Sequence, residues 1–427
     1  MAASVALDPS STSFPSPNGN PTTPPSSDLY QPLPPHSNTV RLLEIQPGTL
    51  AEPIHCHLFS SSLDPSLAPP SYEAISYVWG CPDLREPVRC NDTTISITSN
   101  LADALRRFRS PTDGRVVWAD GICINQADDR EKGHQVRLMR MIYKRAARVL
   151  VWLGRPAPGD EQQPRAAFDA LCALANQTRA AGEPPAAWDD EQPSPAITTT
   201  SSSTRRTDPD DSLPPSPFSS GTANGGRKRT SALLADRWAA LAPFYALPWF
   251  RRVWVIQEIA LSSASTALHW GLPPSSGTGA RIAWSHVARA TDRIVALKHR
   301  LPLHRLPGAL HAHLMGSLWQ AEQRRNGSRI PLMTTMLSGD GDGDDEERMT
   351  FEELHAKTVA LSFVASDPRD RVYALLGIPT RETEPDDGVL YLEPDYGVNL
   401  VGVQVRLLQK RRMMAMERGV LLEKYTQ

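Results

Sequence analysis

The chain has 427 residues, enough for one large or two ordinary domains, with 40% hydrophobic residues and 39 prolines. That combination predicts a folded core diluted by disordered segments. A formal net charge of −2 excludes the strong positive field that would draw the whole chain to nucleic acid or an acidic membrane. The five cysteines, at 56, 81, 90, 123 and 172, are odd in number and form no C-x-x-C. Neither a disulfide framework nor a zinc ribbon is expected, and a reducing, cytoplasmic setting is the simplest reading. The N-terminus lacks the basic-then-apolar order of a secretory signal. No apolar run reaches the roughly 18 residues that span a bilayer.

In chain order, residues 1–38 are rich in Pro, Ser, Thr and Asn and read as disordered. Order begins at Thr39 with a strand over VRLLEI, and a second short strand is expected over Leu50 to Leu58. Tyr72–Gly80, YEAISYVWG, is rich in β-branched and aromatic residues and ends in Gly, a strand-then-turn signal. Ile95 and Ile97 alternate with polar residues as in an edge strand. Ser99 or Asn100 can cap a helix over Leu101–Arg109. Arg115 to Gly154 then reads strand, polar loop, helix, strand.

A short helix over Phe168–Ala175 comes next. The low-complexity stretch from about 183 to 230 reads as a disordered insertion. Trp249–Leu261 fits either helix or strand. Helices are expected over Ser285–Leu301, His311–Arg325, Phe351–Ala365 and after DPRDRVYALLGI. Residues 402–427 are basic and Met-rich, which suggests a truncated or altered end. Strands early and helices late give an α/β domain followed by a helical C-terminal region over 263–380, then a tail from 381.

Chemistry concentrates in few places. Asp120 follows the apolar run Val116–Ala119 directly, and Cys123, Asn125 and Gln126 follow it. Together they lie past the end of a central strand, where open α/β sheets bind ligands. Asp128 and Glu131 fit a capping box for the helix beyond, whose Arg137, Arg140, Lys144 and Arg148 form a basic stripe. That stripe reads as an anion site or, with more weight, as a solvated face. Glu258 sits among Val253, Val255, Ile256 and Ile259, so it must be paired, have a raised pKa, or face a cleft. Cys123 with His134 or His57 would make a nucleophile–base pair. His55-Cys56-His57 resembles metal-ligand material, yet alternate strand residues point to opposite faces, and no metal site is expected. Asp367, Pro368 and Asp370 carry helix-capping logic.

Three blocks then carry a pattern: YEAISYVWG at 72–80, WADGICINQADDREKGHQVRLMRMIYKRAARVLVWLG at 118–154, and PWFRRVWVIQEIALS at 248–262. With them the chain resembles the fungal heterokaryon-incompatibility (HET) domain family, over an envelope of about 39–262. SDPRDRVYALLGI at 366–378 is similar to the segment that often follows this domain. The resemblance implies allorecognition or programmed cell-death signalling when unlike hyphae fuse. It also implies remote similarity to Toll/interleukin-1-receptor (TIR) domains, whose sheet is flavodoxin-like, mostly parallel and flanked by helices.

Some TIR domains hydrolyse NAD with a glutamate in a Trp-x-x-x-Glu segment, and Trp254–Glu258 has that spacing. On this analogy NAD is a substrate and no cofactor is tightly bound. Glu258 and Asp120 are the candidate catalytic carboxylates. Trp79, Gly80, Cys123, Asn125, Gln126 and Trp254 are the candidate binding residues. The expected partners are a second copy or other incompatibility proteins, with no nucleic acid and no membrane span. Two alternatives stand beside this reading: a non-catalytic self-assembling module, and a hydrolase with a carboxylate or Cys–His site.

Overall fold

The computed structural model describes residues 29–35, 37–64, 66–67, 71–179, 183–189, 238–272, 279–297, 303–327 and 348–425. Of the stretches read as disordered, 1–38 and about 183–230, residues 1–28 and 190–230 lie outside the described residues, whereas Leu29 is buried, Tyr30 donates to the Ile122 carbonyl and Trp188–Asp189 forms a strand. The strands are β1 (Thr39–Ile45), β2 (His55–Ser62), β3 (Glu73–Tyr77), β4 (Arg85–Cys90), β5 (Thr93–Thr98), β6 (Arg115–Trp118), β7 (Val149–Trp152), β8 (Trp188–Asp189), β9 (Ala267–Trp270) and β10 (Ala280–Ala283). They form one sheet in the order β5-β4-β2-β1-β6-β3-β7-β9-β10-β8.

At its centre β3 pairs in parallel with β6 and β7, and β7 with β9. Every residue of β3 and of β7 is buried, as befits strands covered on both faces. In chain order these four parallel strands have the spatial order 2-1-3-4.

The flanks are antiparallel where β1 joins β6, β2 joins β1, β10 joins β9, β8 joins β10 and β5 joins β4, while β2 and β4 pair in parallel. The sheet is therefore mixed rather than mostly parallel. The reason is connection length. β1 and β2, β4 and β5, and β9 and β10 are joined by loops too short for a crossover of a dozen or more residues. Asn91, in the β4–β5 turn, takes a left-handed φ of 53°, a conformation Asn tolerates. Two of these strands, β9 and β10, fall in the stretch read from sequence as helical, so the sheet continues past residue 262.

The helices are α1 (Ser99–Phe108), α2 (Asp120–Cys123), α3 (Asp129–Arg145), α4 (Gln163–Asn176), α5 (Trp254–Ala260), α6 (Trp284–Ala296), α7 (Ala309–Arg325), α8 (Phe351–Ala360), α9 (Asp370–Tyr373) and α10 (Leu400–Tyr425). Trp249–Leu261 is thus helical after a 3-10 turn at Pro248–Arg251. The expected helix from Phe351 stops at Ala360, five residues early, because Ser362 takes a left-handed φ of 59°. Among the described residues no helix is long and apolar enough to cross a membrane.

Asp128 caps α3 as expected, accepting from the backbone N–H groups of Arg130 and Glu131 at 2.9 and 3.0 Å. Glu131 does not reach back to complete the box. Its carboxylate instead takes both terminal nitrogens of buried Arg41, at 2.6 and 3.0 Å, and the Asn125 N–H. The basic stripe that begins on α3 is spent on carboxylates, with Arg137 still exposed and Arg148 just past the helix end. Arg137 pairs with Glu393, and Arg140 and Lys144 share Asp386. Arg148 joins Arg115 on buried Glu73. Arg137, Arg140 and Lys144 are the surface on which the chain from Gly377 to Glu393 is fastened.

Candidate functional site

An open cleft of about 440 Å³ lies beyond the C-terminal ends of β3 and β6. Its position follows from strand polarity. β3 runs out at Tyr77 into Val78-Trp79-Gly80, and β6 runs out at Trp118 into Ala119-Asp120, so the two exits meet side by side. Gly80 adopts φ +81°, a left-handed turn that favours glycine and throws the chain away from the cleft mouth. Trp79 is 42% exposed, and its indole N–H donates to Asp120 Oδ2 at 2.8 Å. The two residues form one edge of the cleft. Gln126 donates to the Asp120 backbone carbonyl at 2.8 Å, closing the loop beneath them.

The second wall is α3 with Lys132, Val136 and Met139. The third is Pro248 through Trp254, bringing Arg251, Arg252 and the Trp254 indole. The fourth, unread from sequence, is Val364 to Asp370 with Tyr396. Asp370 is held by the Tyr396 hydroxyl at 2.6 Å and the Trp254 indole N–H at 3.0 Å. Burial raises its pKa against those two donors. Lys132 stands over the Tyr396 ring at 4.2 Å. The side chains of Arg251 and Arg252 make no hydrogen bond or ion pair among the described residues. The cleft thus offers two indoles, a carboxylate edge at Asp120 and a guanidinium edge at Arg251 and Arg252. Its size is within the usual range for small-molecule sites.

Glu258 is placed differently from its expected role. It is 4% exposed and lies outside the cleft lining, one turn along α5 from Trp254. The Ser76 hydroxyl of β3 donates to its carboxylate, and the Trp249 indole donates to Ser76 Oγ at 2.9 Å. Burial pushes the Glu258 pKa up to about 7, with Asp120 adding to the rise and Arg252 and the Ser76 hydrogen bond opposing it. Tyr77 is likewise raised, first by burial and then by facing Asp120. Glu258 with Ser76, and Tyr77 with Asp120, make two polar pairs, and the two carboxyl groups feel one another's charge.

Cys123 and Asn125 fall outside the cleft lining as well. Cys123 is fully buried, its thiol pushed up to about 12 by that burial, and its Sγ accepts from the Ala119 N–H. Such a thiol supplies no thiolate at neutral pH. His57 is exposed on β2 and stacks on Phe59, so it does not pair with Cys123. Asn125 turns locally, accepting from the Ala127 N–H at 3.2 Å. Asp367 accepts from the Arg369 N–H and guanidinium, a local bracket rather than the expected N-cap, because α9 begins at Asp370 with Arg369 in the cap position.

The sequence signal that could have found the fourth wall was present. Trp254 needed a partner for its indole N–H, and Asp370 stands where the charged run Asp367–Arg371 passes into the apolar Val372–Ile378.

Residues 72–258 match the family model described as "Heterokaryon incompatibility protein (HET)". Heterokaryon incompatibility protein 6, OR allele, of Neurospora crassa is 36% identical over 155 residues, covering 33% of this chain and 22% of that protein. The chain thus matches about a fifth of its relative's length. No solved structure matches.

Proposed function

We propose, from a chain that carries a heterokaryon incompatibility (HET) domain over residues 72–258, that it acts in fungal allorecognition. In this reading it works in the cytoplasm and signals cell death by cleaving NAD in the cleft described above. The observation that carries the reading is the Trp79–Asp120 pair at the mouth of that cleft, with Trp254 opposite. The 2-1-3-4 order of the parallel strands supports a TIR-like core, since the flavodoxin-like order begins in the same way.

Cleavage of the nicotinamide glycosidic bond sends its electron pair to the cationic ring nitrogen, so no strong acid is needed. Water then adds to the anomeric carbon and releases a proton. Asp120 faces the cleft and stabilises the oxocarbenium-like centre electrostatically. Gln126 lies near the ribose, and Trp79 and Trp254 offer faces for stacking. Glu258 acts through Ser76 as a positioning residue rather than by contact.

Nicotinamide release by the purified protein tests this reading. Asp120→Asn is expected to lower the rate about 100-fold, and Glu258→Gln by less. Wild-type protein that leaves NAD intact, or equal rates in wild type and Asp120→Asn, would sink it.

A second reading is a self-assembling module that spares NAD. It is favoured by the exposed Val401, Val405, Leu408, Met413 and Met416 on α10. Sedimentation of wild type beside Val405→Asp separates the two: assembly lost in the variant without any NAD turnover supports the module.

A further inference from the structure

A second groove of about 270 Å³ adjoins the cleft. Its lining includes Arg251, Arg371, Ser362, Phe363 and Val364. Arg251 and Val364 also line the main cleft. What divides the two is a single backbone crossing. The Val364 N–H donates to the Arg251 carbonyl at 2.6 Å, and the Val253 N–H donates to the Val364 carbonyl at 2.9 Å. The Arg251 side chain therefore stands where both spaces meet.

Both guanidinium groups of the groove are exposed and unspent. Neither the Arg251 nor the Arg371 side chain has a hydrogen bond or ion pair among the described residues. This sets them apart from Arg41, Arg115, Arg140 and Arg369, whose side chains each hold a carboxylate. No carboxylate lines the groove. The neighbouring histidines show the sign of the local field. His355 is held below its usual pKa by burial, then by Arg411 and Arg371. His311 is lowered by burial, and Arg251 acts in the same direction. Ser362, exposed in its left-handed conformation, offers a hydroxyl at the groove rim. Two guanidinium forks, a hydroxyl and no competing carboxylate make a site for a tetrahedral oxyanion, because each fork presents paired N–H donors to adjacent oxygens.

We propose that this groove is a phosphate subsite in which Arg251 and Arg371 clamp one phosphoryl group. The group has two chemical sources. It is either the 2′-phosphate of a phosphorylated dinucleotide whose nicotinamide half lies in the main cleft, or a free phosphate. The first source rests on the NAD reading above; the second does not.

Calorimetric titration of the full chain separates these outcomes, with inorganic phosphate, NAD and 2′-phosphorylated NAD as probes. Arg371→Gln is the variant, because Arg371 is exposed and lies outside the main cleft; an unchanged melting temperature confirms its fold. Inorganic phosphate is expected to bind wild type and to bind Arg371→Gln about tenfold more weakly. A dinucleotide source adds about a tenfold preference for the 2′-phosphorylated form that vanishes in Arg371→Gln. With a free-phosphate source the two dinucleotides bind alike. No phosphate binding to wild type, or binding unchanged in Arg371→Gln for every probe, overturns the subsite. Phosphate binding that depends on Arg371 while NAD stays intact supports the subsite and removes only the catalytic reading.

Discussion

Glu258 shows how one residue ties the core to the cleft. Its side chain is surrounded by apolar neighbours on α5 and receives a hydroxyl from Ser76, 182 positions away in the chain. Burial carries its pKa from the ordinary 4.5 to about 7. A carboxyl that holds its proton more tightly when folded stabilises the fold below its unfolded pKa. That contribution is lost as pH rises toward the folded value. Stability should therefore fall between about pH 4.5 and pH 7, by on the order of 3 kcal/mol from this group alone. Glu258→Gln keeps an acceptor for Ser76 and removes the titration. Urea unfolding at pH 5 and pH 7.5 should show the wild type losing more stability than the variant, and parallel profiles would refute the assignment. The burial of Glu258 was legible from its neighbours. Its partner was not, since nothing local marks Ser76, one small polar residue in a buried strand.

At the scale of elements, α3 does two jobs with two faces. Val136 and Met139 line the cleft, while Arg137, Arg140, Lys144 and Arg148 fasten other parts of the chain. Arg140 is 4% exposed and donates to Asp386 and to the Gly377 carbonyl. With Lys144 it holds Asp386 well below the usual carboxylate range. Arg140→Ala should cost about 2–3 kcal/mol, the scale of lost hydrogen bonds to a charged group. Lys144→Ala, at a more exposed pair, should cost under about 1 kcal/mol. Urea titration measures both. Limited proteolysis should also cut Arg140→Ala faster between residues 377 and 396, and equal effects of the two substitutions would contradict this account.

The helix itself, its Asp128 cap and its apolar face were all legible, because each rests on spacing within a few residues. The fate of the basic stripe was not. Its partners, Asp386 and Glu393, lie about 240 to 256 positions downstream, and a charged stripe looks the same whether it meets water or carboxylates. Strands β9 and β10 escaped for a similar reason. Each has four residues, too few to display a period of two against a helical background.

The whole molecule sets a different boundary from the one the family match draws. The matched residues, 72–258, include β3, β6 and β7, but β1, β2, β9 and β10 lie outside. β6 takes β1 as its neighbour, with Leu43 opposite Val117, and β7 takes β9, with Leu150 opposite Ala267. Cutting at 72 and 258 would expose both edges of the parallel core, and unpaired edges of buried, apolar strands template aggregation. It would also strip α6 from α4 and remove Trp270 and Trp284 from the aromatic cluster around Phe168, Phe244 and Trp249. The cleft would lose Val364 to Asp370 and Tyr396, and with them the acceptor that holds the Trp254 indole. The folding unit therefore reaches from Leu29 to Leu407, the outermost residues of the common core, and the family match marks only its middle. Residues 72–258 expressed alone should pellet or bind a hydrophobic dye, whereas residues 29–425 should stay soluble and unfold in one cooperative urea transition. A soluble 72–258 fragment with its own sharp transition would show that the flanking strands and the fourth wall are additions to a self-sufficient core.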